Sequence, residues 1–139
     1  GSLEAGLAFS NASLGAVHAM AHSLGGFFNL AHGECNAIFL PHVIKYNYPA
    51  SKDKYKIVCE LLGCYSPGIK SEKEIKNTLF CTIQSFKQEV GITDSLKDKG
   101  IKGTDIPFLA EYAYLDPCLV TNPRTANKKD LGVIFEEAL

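Results

Sequence analysis

The chain has 139 residues, 46% of them hydrophobic and 21% charged, with 14 basic and 15 acidic side chains giving a net charge of −1. That is enough chain for one compact domain with a core, and too balanced a charge to attract nucleic acid or an anionic membrane surface. No apolar run approaches the ~20 residues that cross a bilayer. Five cysteines at irregular spacing, with no CxxC, fit a reduced intracellular protein better than a disulfide framework. Gly1-Ser2 reads as a tag remnant, and buried apolar thiols are the expectation for all five cysteines.

Leu3–Leu24 is rich in Ala, Leu and Met and apolar nearly all round, which predicts a single helix buried among others. Gly25-Gly26 should stop it, with a short turn over Phe27–Ala31. Gly33–Ile44 predicts a second helix, closed by Asn47-Tyr48-Pro49. Ser51 is placed to cap a third, running to Leu62 and ending at Gly63. Ser71 and Glu74 form a capping box for a fourth, with apolar positions at Ile75, Leu79, Ile83, Phe86 and Val90. Thr93 or Asp94 should cap a short turn ending at Gly100. Thr104 or Asp105 opens the next helix, which must stop at or before Asp116 because Pro117 follows. Asn127 caps a last helix with Leu131, Ile134, Phe135 and Leu139 on one side. Lysines 52, 54, 56 and 97, 99, 102 are interleaved with acids and read as solvated faces. Strand patterning and internal repeats are not evident, so the expected fold is all-α: a helical bundle of about six or seven helices joined by short loops.

All four histidines fall between positions 18 and 42. His18 and His22 are four apart and share a helix face, and His32 opens the next helix after a glycine turn that can fold it back beside them. Neutral imidazoles so gathered suit Fe²⁺, Zn²⁺, Ni²⁺ or Cu²⁺, although histidines on an apolar helix also serve as hydrogen-bonded core residues. Ala19 stands where the zinc-protease HExxH helix needs glutamate, which argues against a metalloprotease.

The stretch Gly15-Ala-Val-His18-Ala-Met-Ala21-His22-Ser-Leu-Gly25, followed by His32-Gly33-Glu-Cys-Asn36-Ala37-Ile-Phe-Leu40-Pro41-His-Val43, resembles the signature of the iron-containing (group III) alcohol dehydrogenases. A second resemblance runs through Asp105-Ile-Pro107 and Asp116-Pro-Cys-Leu-Val-Thr121-Asn122-Pro123-Arg124. The resemblance covers Leu3–Leu139. It implies the C-terminal helical metal-binding domain (residues 3–139) of a dehydroquinate synthase-like fold, lacking its nucleotide-binding domain. In that family one aspartate and three histidines hold a divalent metal, Fe²⁺ or Zn²⁺. The last two ligands correspond to His18 and His32, and the aspartate and first histidine are expected upstream of Leu3. His22 corresponds to the residue beside the nicotinamide of NAD(P) and the substrate, a catalytic and cofactor-contacting position. The implied reaction interconverts primary alcohols or diols and aldehydes, in a cytoplasmic homo-oligomer with small-molecule substrates. The fragment alone is expected to be inactive and to self-associate through uncovered apolar faces. His42 is expected on the helix surface or at a neighbour contact. Phe27 and Phe28 are core residues or pocket lining, and Asn122-Pro123-Arg124 fixes a surface loop. The alternative is a stand-alone helical metal-binding or interaction module.

Overall fold

A computed structural model describes residues 1–65 and 71–139. Among them are seven α-helices and no strand: α1 (Ser2–Ala12), α2 (Ala16–Phe28), α3 (His32–Asn47), α4 (Lys52–Leu61), α5 (Glu72–Glu89), α6 (Ile106–Leu115) and α7 (Lys128–Ala138). Short 3₁₀ turns occupy Tyr48–Ala50, Gly103–Asp105 and Pro117–Thr121. The all-α expectation holds.

The single buried helix expected over Leu3–Leu24 is two helices, of which only the second is buried. Ser13 adopts a left-handed φ of 61° and ends α1. None of α1's residues is buried, and Leu3, Leu7 and Phe9 face solvent. The break follows from a partner far along the chain. Asn122 Oδ1 accepts the Ala16 N–H at 3.0 Å, capping α2 from 106 residues away. A Cβ on Gly15 would lie 2.9 Å from that same oxygen, so only glycine lets the chain pass.

The main core joins α2 (Ala16, Met20, Ala21, Leu24), α3 (Cys35, Ile38, Phe39, Val43), α6 (Ile106, Leu109, Ala110, Ala113) and α7 (Leu131, Ile134, Phe135, Ala138). Phe39 and Phe135 meet edge-to-face at 5.0 Å, a geometry worth about 0.5–1.5 kcal/mol beyond area burial. A smaller cluster of Ile44, Cys59 and Leu79 joins α3 to α4 and α5. Phe86 and Val90, expected on the apolar stripe of α5, are exposed.

The capping box expected at Ser71 with Glu74 forms, and Asn127, expected as a cap, forms a further box with Asp130. The turn ending at Gly100 is capped by Ser95 with Asp98 rather than by Thr93 or Asp94. Only Cys35 and Cys59 are buried; Cys64 and Cys118 are half-buried and Cys81 is exposed, correcting the expectation of five core thiols. Cys59 and Cys64 lie with sulfurs 2.6 Å apart, and burial followed by the contact with Cys64 pushes the Cys59 thiol up to about 12.

A buried amide pair fastens the ends of the bundle. Asn47 and Asn122 donate to each other's Oδ1 at 2.9 and 2.8 Å, and Asn122 Nδ2 also reaches the Arg124 carbonyl at 2.6 Å. Arg124 then donates to the Tyr46 carbonyl and lies 4.1 Å over the Tyr46 ring. The Asn122-Pro123-Arg124 stretch is thus a structural clamp whose first residue is buried, not a surface loop alone.

Candidate metal centre

Each residue of a helix turns 100°, so His18 points about 200° away from Ala16 and Met20, which are buried in the core. His18 and His22 therefore stand on the outward face of α2, His18 half-buried and the His22 side chain 41% exposed. α2 runs through Gly25 and Gly26 and ends only at Asn29, whose left-handed φ of 52° reverses the chain. Asn29 supplies the stop expected of the glycines. Gly25 has a different use: a Cβ there would sit 3.3 Å from the Leu30 carbonyl, so its absence lets the turn fold tightly against α2. Gly33 has no such neighbour.

That turn delivers His32 beside the other two rings. Ring centroids lie 6.0 Å apart for His18–His22, 5.3 Å for His18–His32 and 5.2 Å for His22–His32. Asn36, one turn into α3, has its Nδ2 2.9 Å from His32 Nε2 and 3.4 Å from His18 Nε2. Two imidazole lone pairs thus converge on one positively polarised nitrogen, the arrangement a divalent cation would take over. Asn36 Oδ1 is buried beside them without a partner. Burial, then the neighbouring His32 and His22 rings, hold the His18 pKa below the usual imidazole range despite Asp116. The neutral ring, the form able to ligate a cation, is thereby favoured. The two converging imidazoles of His18 and His32 fit a divalent metal in donor chemistry.

His22 makes a different contact. Its Nδ1 lies 2.9 Å from Asp116 Oδ2, while Asp116 Oδ1 accepts the Cys118 N–H at 2.8 Å. Burial pushes the Asp116 carboxyl up, but the hydrogen bonds from His22 and Cys118 outweigh it, leaving the pKa below the usual carboxylate range. Among the described residues, His22, Asp116 and Cys118 are the only group of three metal-type donors whose ligating atoms lie within 4.8 Å of one another. Both carboxylate oxygens are already engaged there, so these atoms are bonded to one another rather than poised around an ion. Sequence reasoning names Asp116 as a helix stop and as the head of the second family-like stretch but not as a site residue; its partner lies 94 positions away.

His42 lies away from this group, against Phe80 of α5 at 5.7 Å between centroids and 3.8 Å from Glu137 of α7. Phe27 is exposed and packs edge-on against Phe108 and Tyr112 at 4.3 and 4.7 Å. Lys99 pairs with Glu34 at 2.7 Å and Asp94 at 2.8 Å, bracing the start of α3.

Residues 1–139 match the description "Fe-containing alcohol dehydrogenase family, C-terminal". The chain is 41% identical over 137 residues to a 1,3-propanediol dehydrogenase of Klebsiella pneumoniae, covering 99% of this chain and 35% of that protein. It is 40% identical over 138 residues to a lactaldehyde reductase of Escherichia coli K12, covering 99% and 36%. The solved structure of a 1,3-propanediol oxidoreductase superposes with a TM-score of 0.94 at 41% identity, over 99% of this chain and 36% of that one. The chain thus spans about a third of the length of the curated relatives it matches.

Proposed function

Because the chain belongs to the Fe-containing alcohol dehydrogenase family, we propose that it forms the C-terminal helical domain of a metal-dependent dehydrogenase interconverting primary alcohols or diols and aldehydes with NAD(P). The observation that carries this reading is the convergence of His18 and His32 Nε2 on the Asn36 amide. His18 and His32 hold the divalent metal, Fe²⁺ or Zn²⁺; an aspartate and a histidine from outside these residues complete the shell. When bound, the metal supplies Lewis-acid polarisation of the substrate hydroxyl and the nicotinamide supplies the hydride acceptor. His22, beside His18 and His32 on the same side of α2, would take up the hydroxyl proton. The open face of α2 is where nicotinamide and substrate approach, and the whole protein binds them between this domain and a nucleotide-binding one. The printed names of the relatives make 1,3-propanediol and lactaldehyde the first substrates to try. The five unpaired thiols suit a reducing, cytoplasmic setting.

Calorimetric titration with Zn²⁺, and anaerobically with Fe²⁺, tests the ligand assignment. The whole protein should bind one equivalent, and His18→Ala with His32→Ala should abolish it. The 139-residue chain alone should bind at least about 100-fold more weakly, since half the ligands are missing. Unchanged affinity in the double variant would move the metal elsewhere.

A further inference from the structure

The His22–Asp116 contact joins residues on different elements. Asp116 sits between α6 and the Pro117–Thr121 turn, and its carboxylate is fixed at both ends: Oδ1 by the Cys118 N–H, Oδ2 by His22. α2 packs on α6 and on that turn, so the relative placement of the two side chains is set by the core and not by a loose surface contact. An ionised carboxylate only accepts hydrogen bonds, so the proton between the two groups belongs to His22 Nδ1. The other ring nitrogen, Nε2, is then the one with the lone pair, and it has no hydrogen-bond partner among the described residues. The ring also lies nearly parallel to His32, with 20° between the planes, so its orientation is held from two sides.

We propose that Asp116 is a positioning residue for His22, fixing it as the Nδ1–H tautomer so that Nε2 is the atom that accepts the substrate proton. The inference rests on the dehydrogenase reading and deepens it. In alcohol oxidation the O–H bond breaks and its proton goes to His22 Nε2. The carbinol C–H bond breaks with its electron pair, which leaves as hydride to the nicotinamide, and the carbonyl double bond forms. The imidazolium produced faces the Asp116 carboxylate, which offsets its charge.

Two measurements on the whole protein test this. In the zinc-loaded enzyme with ¹⁵N-labelled histidine, NMR should report His22 protonated at Nδ1, with that signature lost in Asp116→Asn. An unprotonated Nδ1 in the parent overturns the proposal without any need for the variant to fold. Kinetically, Asp116→Asn should lower kcat on the order of 10- to 100-fold with KM and metal content little changed. In a His22→Ala background the same substitution should cost nothing further; an additive loss would mean that Asp116 acts other than through His22. Should the whole protein bind no divalent metal and oxidise no alcohol, the functional reading fails, and the same tautomer measurement on the metal-free protein still decides whether Asp116 fixes the His22 tautomer.

Discussion

Asn122 shows how one polar residue can decide more of this structure than a large apolar one. Its amide caps α2 through Ala16, pairs with Asn47 at the end of α3 and holds the Arg124 carbonyl, all while 9% exposed. Asn122→Ala should therefore destabilise the chain by about 2–4 kcal/mol, because the Asn47 amide and the Ala16 N–H are left buried without partners. Urea titration measures this, and a loss below about 0.5 kcal/mol would mean water replaces the clamp. His42 carries a pH dependence. Burial holds its pKa below the usual range; Glu137 opposes that, while Lys87 and Lys45 add to it. The neutral ring is favoured in the fold, so its stabilising contribution is complete above the unfolded pKa of about 6.5 and is lost as pH falls below it. The melting temperature should drop between pH 7.5 and 5.5, and drop less in His42→Gln. His18, shifted in the same direction, keeps part of the drop in the variant.

At the level of elements, α1 and α2 are near opposites although their compositions are alike. α2 buries Ala16, Ala19, Met20, Ala21, Ser23 and Leu24, while α1 buries nothing. An unpacked helix of 11 residues is marginal in water, since propagation barely repays nucleation. Amide hydrogen exchange of the chain should find α1 nearly unprotected and the interior of α2 protected by the stability of the whole bundle. Strong protection across Leu3–Ala12 would show a partner for α1. α3 reaches Asn47 and carries Pro41 inside it, although proline removes a backbone donor and is a weak helix signal. Burial of Pro41 and of its neighbours Phe39 and Val43 outweighs that loss.

Exposed apolar residues occur on most of the helices among the described residues, several of them close in sequence. Leu3, Leu7 and Phe9 lie on α1, Ile57, Leu61 and Leu62 at α4, and Phe27, Phe108 and Tyr112 pack together at the ends of α2 and α6. Exposed apolar residues in this number favour association with a partner surface. The isolated 139 residues should then elute from a sizing column as a dimer or larger; a clean monomer at 100 μM would show that these residues tolerate water. His18, His22 and His32 project from the outward side of α2 and the start of α3, with the core behind them.

Much of this was legible in the residue order. Period-3.6 patterning, the caps at Ser71 and Asn127, and proline after Asp116 act within a few residues, so the all-α fold and most helix boundaries follow from local chemistry. The i, i+4 spacing of His18 and His22 and the turn before His32 likewise set the three rings near one another. Tertiary structure alone decided the rest. The break between α1 and α2 depends on Asn122, and the state of His22 depends on Asp116, partners 106 and 94 positions away. Apolar periodicity records which face of a helix is buried, but a single hydrogen bond between distant residues leaves no period in the sequence. Only the packing of α2 against α6 and the turn after it brings those atoms within 3 Å.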